Sequence, residues 1–166
     1  VAHYTRELAV TPFHMRDYAR GDSEALADIF RRAVREIGPR DYSAEQIEAW
    51  AGGLRTDRLD ARLSDGRLCL VAIDDANTPL AFGDLEADGH IDFLYAAPQA
   101  AGKGIAAALY DALETRARAR GMIRLYTEAS EAARRFFLKK GFAVVGRRDF
   151  FIGDVSIHNY AMEKKL

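Results

Sequence analysis

The chain has 166 residues, with 24 Lys+Arg against 25 Asp+Glu for a formal net charge of -1. At roughly 150 residues per domain this predicts one domain, able to bury roughly 68–70% of its extended surface without metal or disulfide. The balance of charge excludes a protein that coats nucleic acid, and the single cysteine, Cys69, excludes a disulfide framework. No apolar run reaches the roughly 18 residues that cross a membrane, and no secretory signal opens the chain, so the expected setting is the cytoplasm.

Residues 1–11 are weakly patterned and read as an N-terminal arm ahead of one domain over 12–166. Phe13 to Arg16 predicts a short strand. Asp22 or Ser23 is placed to cap a helix whose apolar positions Leu26, Ile29, Phe30, Ala33, Val34 and Ile37 recur at helical spacing, and Gly38-Pro39 stops it. Ser43 opens a second helix with Gln46 in the capping-box position, and Ile47, Trp50 and Leu54 carry its apolar face to the Gly52-Gly53 pair. A shorter amphipathic segment, Leu59 to Leu63, ends at Ser64-Asp65-Gly66.

The period then changes to that of strands. Leu68 to Ile73 is one, and Leu80 to Ala87 and His90 to Ala96 predict two more joined at Asp88-Gly89, a strong hairpin signal. Ile105, Leu109 and Leu113 place a helix from about 103 to 120, closed by Gly121. Met122 to Thr127 reads as a strand, Ser130 caps a helix running to Lys140, and Gly141 stands just beyond its end. Phe142 to Arg147 and Ser156 to Met162 complete one mixed α/β domain.

The chemistry concentrates where a strand runs through Ala101-Gly102-Lys103-Gly104-Ile105-Ala106 into a helix. The first turn of a helix has N–H groups without internal partners, at the positive end of its dipole. Glycines at 102 and 104 remove side chains that would hold an anion away, which makes the turn a candidate diphosphate cradle with Lys103 at its rim. It is not a mononucleotide loop, since Gly104 is followed by Ile105 rather than Lys-Ser/Thr, and its mid-chain position does not suit a dinucleotide fingerprint.

The order of elements and two motifs resemble the GCN5-related N-acetyltransferase family over residues 12–164. Ala101 to Ala106 is similar to its signature Gln/Arg-x-x-Gly-x-Gly/Ala, with Ala101 in place of Gln or Arg. Ala133 to Phe142 resembles its Ala-x-x-Phe-Tyr-x-x-x-Gly-Phe element, with Phe137 in place of the tyrosine that protonates the leaving thiolate. Further stretches around Asp41, Trp50, Thr127 and Asn159 are similar to small bacterial acetyltransferases. The resemblance implies an α+β acyl-CoA N-acyltransferase fold: a central, mostly antiparallel, splayed sheet flanked by helices. It implies acetyl-CoA as acyl donor, held by Leu94, Tyr95 and Ala96 through their backbone, by Ala101 to Ala106 at the diphosphate, and by Ser130, Phe137 and Lys140. The acceptor is then the primary amine of a small molecule, attacked directly. The alternatives are a peptide or protein amine, or a silent acyl-CoA-binding module.

An incoming ammonium has to lose a proton, and the candidate bases are Asp92 and His90, which share a strand face, with Glu86 and Glu128 beside the acceptor. Tyr95 and Tyr160 are candidate acids or acceptor-orienting hydroxyls. Tyr42 and Trp50 stand out on the early helices as acceptor-pocket residues. The four histidines show no close metal-ligand spacing, so no metal is expected. No nucleic acid or membrane partner is expected either. A homodimer through the first helices or the C-terminal strands is open.

Overall fold

A computed structural model describes residues 12–166, so the expected arm over 1–11 lies outside the described residues. Along the chain it has β1 (His14–Asp17), α1 (Ser23–Ile37), α2 (Ala44–Gly52), α3 (Thr56–Leu63), β2 (Leu68–Ile73), β3 (Pro79–Leu85) and β4 (Leu94–Ala96). Then come α4 (Ile105–Ala119), β5 (Arg124–Ala129), α5 (Glu131–Lys139), β6 (Ala143–Ile152) and β7 (Val155–Lys165). The strands make two antiparallel sheets, ordered β1-β2-β3-β4 and β5-β7-β6. This is the mixed α/β, splayed-sheet architecture expected from the sequence.

Local chemistry explains where the elements begin. Ser43 Oγ accepts the Gln46 N–H while Gln46 Oε1 accepts the Ser43 N–H, so the capping box of α2 forms as expected. The cap of α1 does not. Asp22 instead accepts the Ala19 N–H at 2.9 Å and a bidentate pair from Arg16 at 2.7 and 2.8 Å, and Ser23 Oγ donates backward to the Arg20 carbonyl. A charge-assisted fork is stronger than a neutral cap bond, so Arg16 takes the carboxylate.

Helices cover both faces of the first sheet. On one face Phe30 of α1 meets Tyr95 edge-on at 4.9 Å, and Tyr95 stacks near Phe82. On the other, α4 packs over Gly83, where a Cβ would stand within 3.1 Å of Leu94, Leu109 and Leu113. The buried apolar side chains form one continuous cluster.

The predicted strand from His90 is the main correction: regular pairing with β3 begins only at Leu94. The cause is Asp84. Its wholly buried Oδ1 accepts the N–H of Asp92 at 2.9 Å and of Phe93 at 2.7 Å, inserting a carboxylate where a strand ladder would run. The segment keeps only the backbone bonds Asp84 N–H to Phe93 O and Glu86 N–H to His90 O on that side, and it turns its other groups to β5: Ile91 donates to the Tyr126 carbonyl at 2.9 Å, and Tyr126 donates to the Gly89 carbonyl at 3.1 Å. Among the described residues this is the one place where the two sheets exchange backbone hydrogen bonds. Past it, β4 stays with β3 and the sheets part.

Gly89 makes that crossing possible. It turns the chain at φ +93, and a Cβ there would lie 2.2 Å from the Arg124 carbonyl oxygen. Gly89→Ala is therefore expected to cost more than about 2 kcal/mol, because both the left-handed backbone and the β5 contact are lost. Thermal unfolding checks it, and an unchanged midpoint would mean that the strand does not need so close an approach.

Candidate active site

The gap between β4 and β5 exposes backbone to a ligand. The bonds Ala97 N–H to Leu80 O and Asp84 N–H to Phe93 O fix the alternation of the β3–β4 ladder. By that alternation Tyr95 bonds inward to Phe82, while Leu94 and Ala96 turn their N–H and C=O groups toward the gap. At the end of the gap α4 begins. Gly102 and Gly104 hold φ +73 and +78, and a Cβ on either would meet nothing within 4 Å. Ala108 is the first residue to donate along the helix, to the Gly104 carbonyl, and Gly104 has no side chain to cap the turn. The N–H groups of residues 104–107 thus face an open surface at the positive end of a fifteen-residue helix.

A cavity of about 370 Å³ runs from this turn along the gap and under the early helices. Ala101, Gly102 and Ala106 line one end, Leu94, Tyr95 and Ala96 the middle, and Tyr42, Trp50, Asp92 and Glu128 the other end. Ser130 and Phe137 also line it, Ser130 having its Oγ on the Ala133 N–H as the cap of α5. Ile105 is buried, so only its backbone is available to the turn, and Lys103 is exposed at the rim.

The acidic end is built around Arg67, whose side chain is only 8% exposed. Its Nη1 lies 2.8 Å from Asp84, 2.9 Å from Glu86 and 3.3 Å from Asp92, and Nε and Nη2 reach Asp65. Burial pushes the Asp84 carboxyl above the usual range, against the backbone donors and Arg67, which favour its charged form. Asp84, Glu86 and Asp92 bring ligand oxygens within 4.8 Å of one another, a spacing that would suit a divalent ion, but the Arg67 guanidinium already stands among them. Asp92 is thereby held at the cavity wall twice, by its N–H on Asp84 and its carboxylate on Arg67.

His90 sits 2.5 Å from Glu128 and 3.4 Å from Glu86, stacked on Tyr126. The hydrogen bond to Glu128 outweighs burial and raises His90 to about 9, while the same bond holds Glu128 below its ordinary value. At neutral pH His90 is a cation, a counter-charge to Glu128 rather than a vacant proton acceptor.

The structure brings Asp92, Tyr95, Glu128, Tyr42 and Trp50 to one cavity, and places four expected residues elsewhere. His90 and Glu86 stand behind the wall. The Tyr160 hydroxyl donates to Glu131 at 2.6 Å, under Arg134. Lys140 pairs with Asp111 at 2.7 Å, on the far side of α4. The sequence reading missed Arg67 and Phe136. Arg67 had no visible signal, because its partners are separated by up to 25 residues, whereas Phe136 was legible one position before Phe137 in the second motif.

Residues 39–164 match the family model described as an acetyltransferase (GNAT) domain. The chain is 33% identical over 131 residues to the uncharacterized N-acetyltransferase YafP of Escherichia coli (strain K12), covering 79% of this chain and 81% of that one. Among solved structures it is similar to a GCN5-related N-acetyltransferase from Rhodopseudomonas palustris, with TM-score 0.87, 35% identity, and 96% and 99% of the two chains covered. The paiA N-acetyltransferase from Thermoplasma acidophilum, solved in complex with coenzyme A, shares the fold at TM-score 0.75 and 22% identity, over 93% and 99%.

The His90–Glu128 pair predicts a pH signature. A histidine raised from 6.5 to about 9 contributes stability that is complete below 6.5 and is lost as pH rises through about 9. Allowing for water at the rim, wild type is expected to lose about 1–2 kcal/mol across that window that His90→Gln does not lose. Denaturant titrations of both proteins at several pH values measure the difference, and parallel profiles would remove the charged pair.

Proposed function

The chain belongs to the GNAT acetyltransferase family, and on that premise we propose that it moves the acetyl group of acetyl-CoA to the primary amine of a small molecule by direct attack. One observation carries the reading. A single cavity joins the open N–H turn of α4 and the free backbone of β4 to a carboxylate-lined end under the early helices. The coenzyme A bound by the paiA relative agrees with this choice of donor.

Acetyl-CoA supplies the acetyl group as a thioester. The N–H groups of residues 104–107 and the helix dipole suit its diphosphate, and glycine at 102 and 104 leaves room for it. The Leu94 and Ala96 backbone suits the amides of an extended arm, which such a strand edge binds as it would a further strand. Their N–H groups are also the donors nearest the gap for a developing oxyanion. Asp92 takes the ammonium proton, directly or through water. The amine nitrogen then forms the C–N bond as the C–S bond breaks, and the second proton it sheds on becoming an amide passes to the leaving thiolate, directly or through water. Phe137 has no proton to give, and burial raises the Tyr95 hydroxyl and keeps it protonated at the cavity wall, where it offers the leaving sulfur a hydrogen bond rather than its proton. A thiolate of pKa near about 8.5 also leaves tolerably without help. At about 370 Å³ for the thioester arm and the acceptor together, the cavity favours a small acceptor over a protein chain.

Two variants test the assignment. Gly104→Asp is expected to weaken acetyl-CoA binding about tenfold or more by calorimetry, and Gly104→Asn, of the same shape without the charge, distinctly less. Equal affinities with an intact fold would place the diphosphate elsewhere. Asp92→Asn is expected to slow thiol release from acetyl-CoA about tenfold or more at neutral pH and less at high pH, where the amine is already free. A constant ratio would point to another base, and tight coenzyme binding with no turnover on any amine would leave a silent binding module.

A further inference from the structure

The acceptor end of the cavity has a charge arrangement that selects beyond the presence of an amine. Three carboxylates line it, Asp41, Asp92 and Glu128, and among the described residues its lining contains no Lys, Arg or His. Their cations stand behind them: Arg135 on both oxygens of Asp41, Arg67 and Arg62 on Asp92 Oδ2, and His90 on Glu128 Oε2. Each pair is therefore a fixed dipole with its negative end toward the cavity. None of the described hydrogen bonds ends on Asp92 Oδ1 or Glu128 Oε1, so both remain to accept N–H bonds. Val34 and Ile37 of α1 line the cavity together with Tyr42 and Trp50, two rings that meet edge-on at 5.5 Å.

An ammonium at this end meets two free carboxylate oxygens. A carboxylate carried by the same acceptor meets three like charges and no lining side chain of opposite sign. Resting on the transfer reading above, we infer that the acceptor is a primary amine with an apolar, ring-sized body and no carboxylate of its own: a decarboxylated amine rather than an amino acid.

Phenethylamine and L-phenylalanine differ by that one group, and they make the test on the unmodified protein. Trp50 is the only tryptophan in the chain and lines the cavity, so its fluorescence reports occupancy without any chemistry. Phenethylamine is expected to bind at least about tenfold tighter than phenylalanine, and Glu128→Gln to narrow that ratio. Equal binding, preference for phenylalanine, or no binding of either overturns the inference. Thiol release from acetyl-CoA, followed with the same two compounds, separates it from the reading it rests on. Selective binding of the amine without release keeps the acceptor class and defeats the transfer reading, whereas release with both at equal efficiency does the opposite.

Discussion

Asp84 is a carboxylate with no exposed surface, and it has to be surrounded by donors wherever the chain goes. The Asp92 and Phe93 N–H groups and the Arg67 guanidinium meet that need. Much of the site follows from it. The Asp84 side chain takes the Phe93 N–H from the β3 ladder and gathers the Asp92 N–H beside it, so regular pairing with β3 starts only at Leu94. The freed segment finds β5 through Gly89 and Ile91, and the sheets separate beyond that contact. A gap lined by unpaired backbone results from burying one acid in one strand.

Charge is laid out on the same plan. Arg67 binds Asp84 for the fold and Asp92 for the cavity with a single nitrogen, so the group that stabilises the irregular strand also orients the acid that faces the ligand. His90 does the corresponding work for Glu128 from β5. In both places the cation is the more shielded member or stands behind the wall, and the carboxylate faces inward. Fixed dipoles of this kind need no reorganisation when a cation arrives. The opposite end of the cavity uses main-chain N–H groups instead of basic side chains, which is why Ala101 can stand at the start of the loop without removing the cradle itself.

Elements whose cause is local were legible. The capping box of α2, the apolar stripe of α1, the glycine start of α4 and the Ser130 cap of α5 each involve residues within a turn or two of one another. The cap of α1 was misread because Arg16 reaches back from β1 to take Asp22. Strand β5 begins two residues later than its periodicity indicated, since the Met122 N–H still bonds the Ala117 carbonyl at the end of α4. The last hairpin is longer on both strands than the apolar pattern marked, because Arg148 and Asp149, which interrupt that pattern, pair across to β7 through their backbone and carry the ladder on to Ile152.

The sequence by itself determined the order of elements, the turn into α4 with its two glycines, and the family, since these reside in short runs where spacing alone sets backbone geometry. Only the tertiary structure decided which acids share a cavity. Asp92 precedes β4 and Glu128 lies on β5, and they meet because the Gly89–Ile91 segment crosses to β5, while Tyr160 and Lys140 are drawn to Glu131 and Asp111. The physical reason is the reach of a charged side chain. It takes whichever opposite charge the fold brings within a few ångströms, and a linear chain does not display that distance.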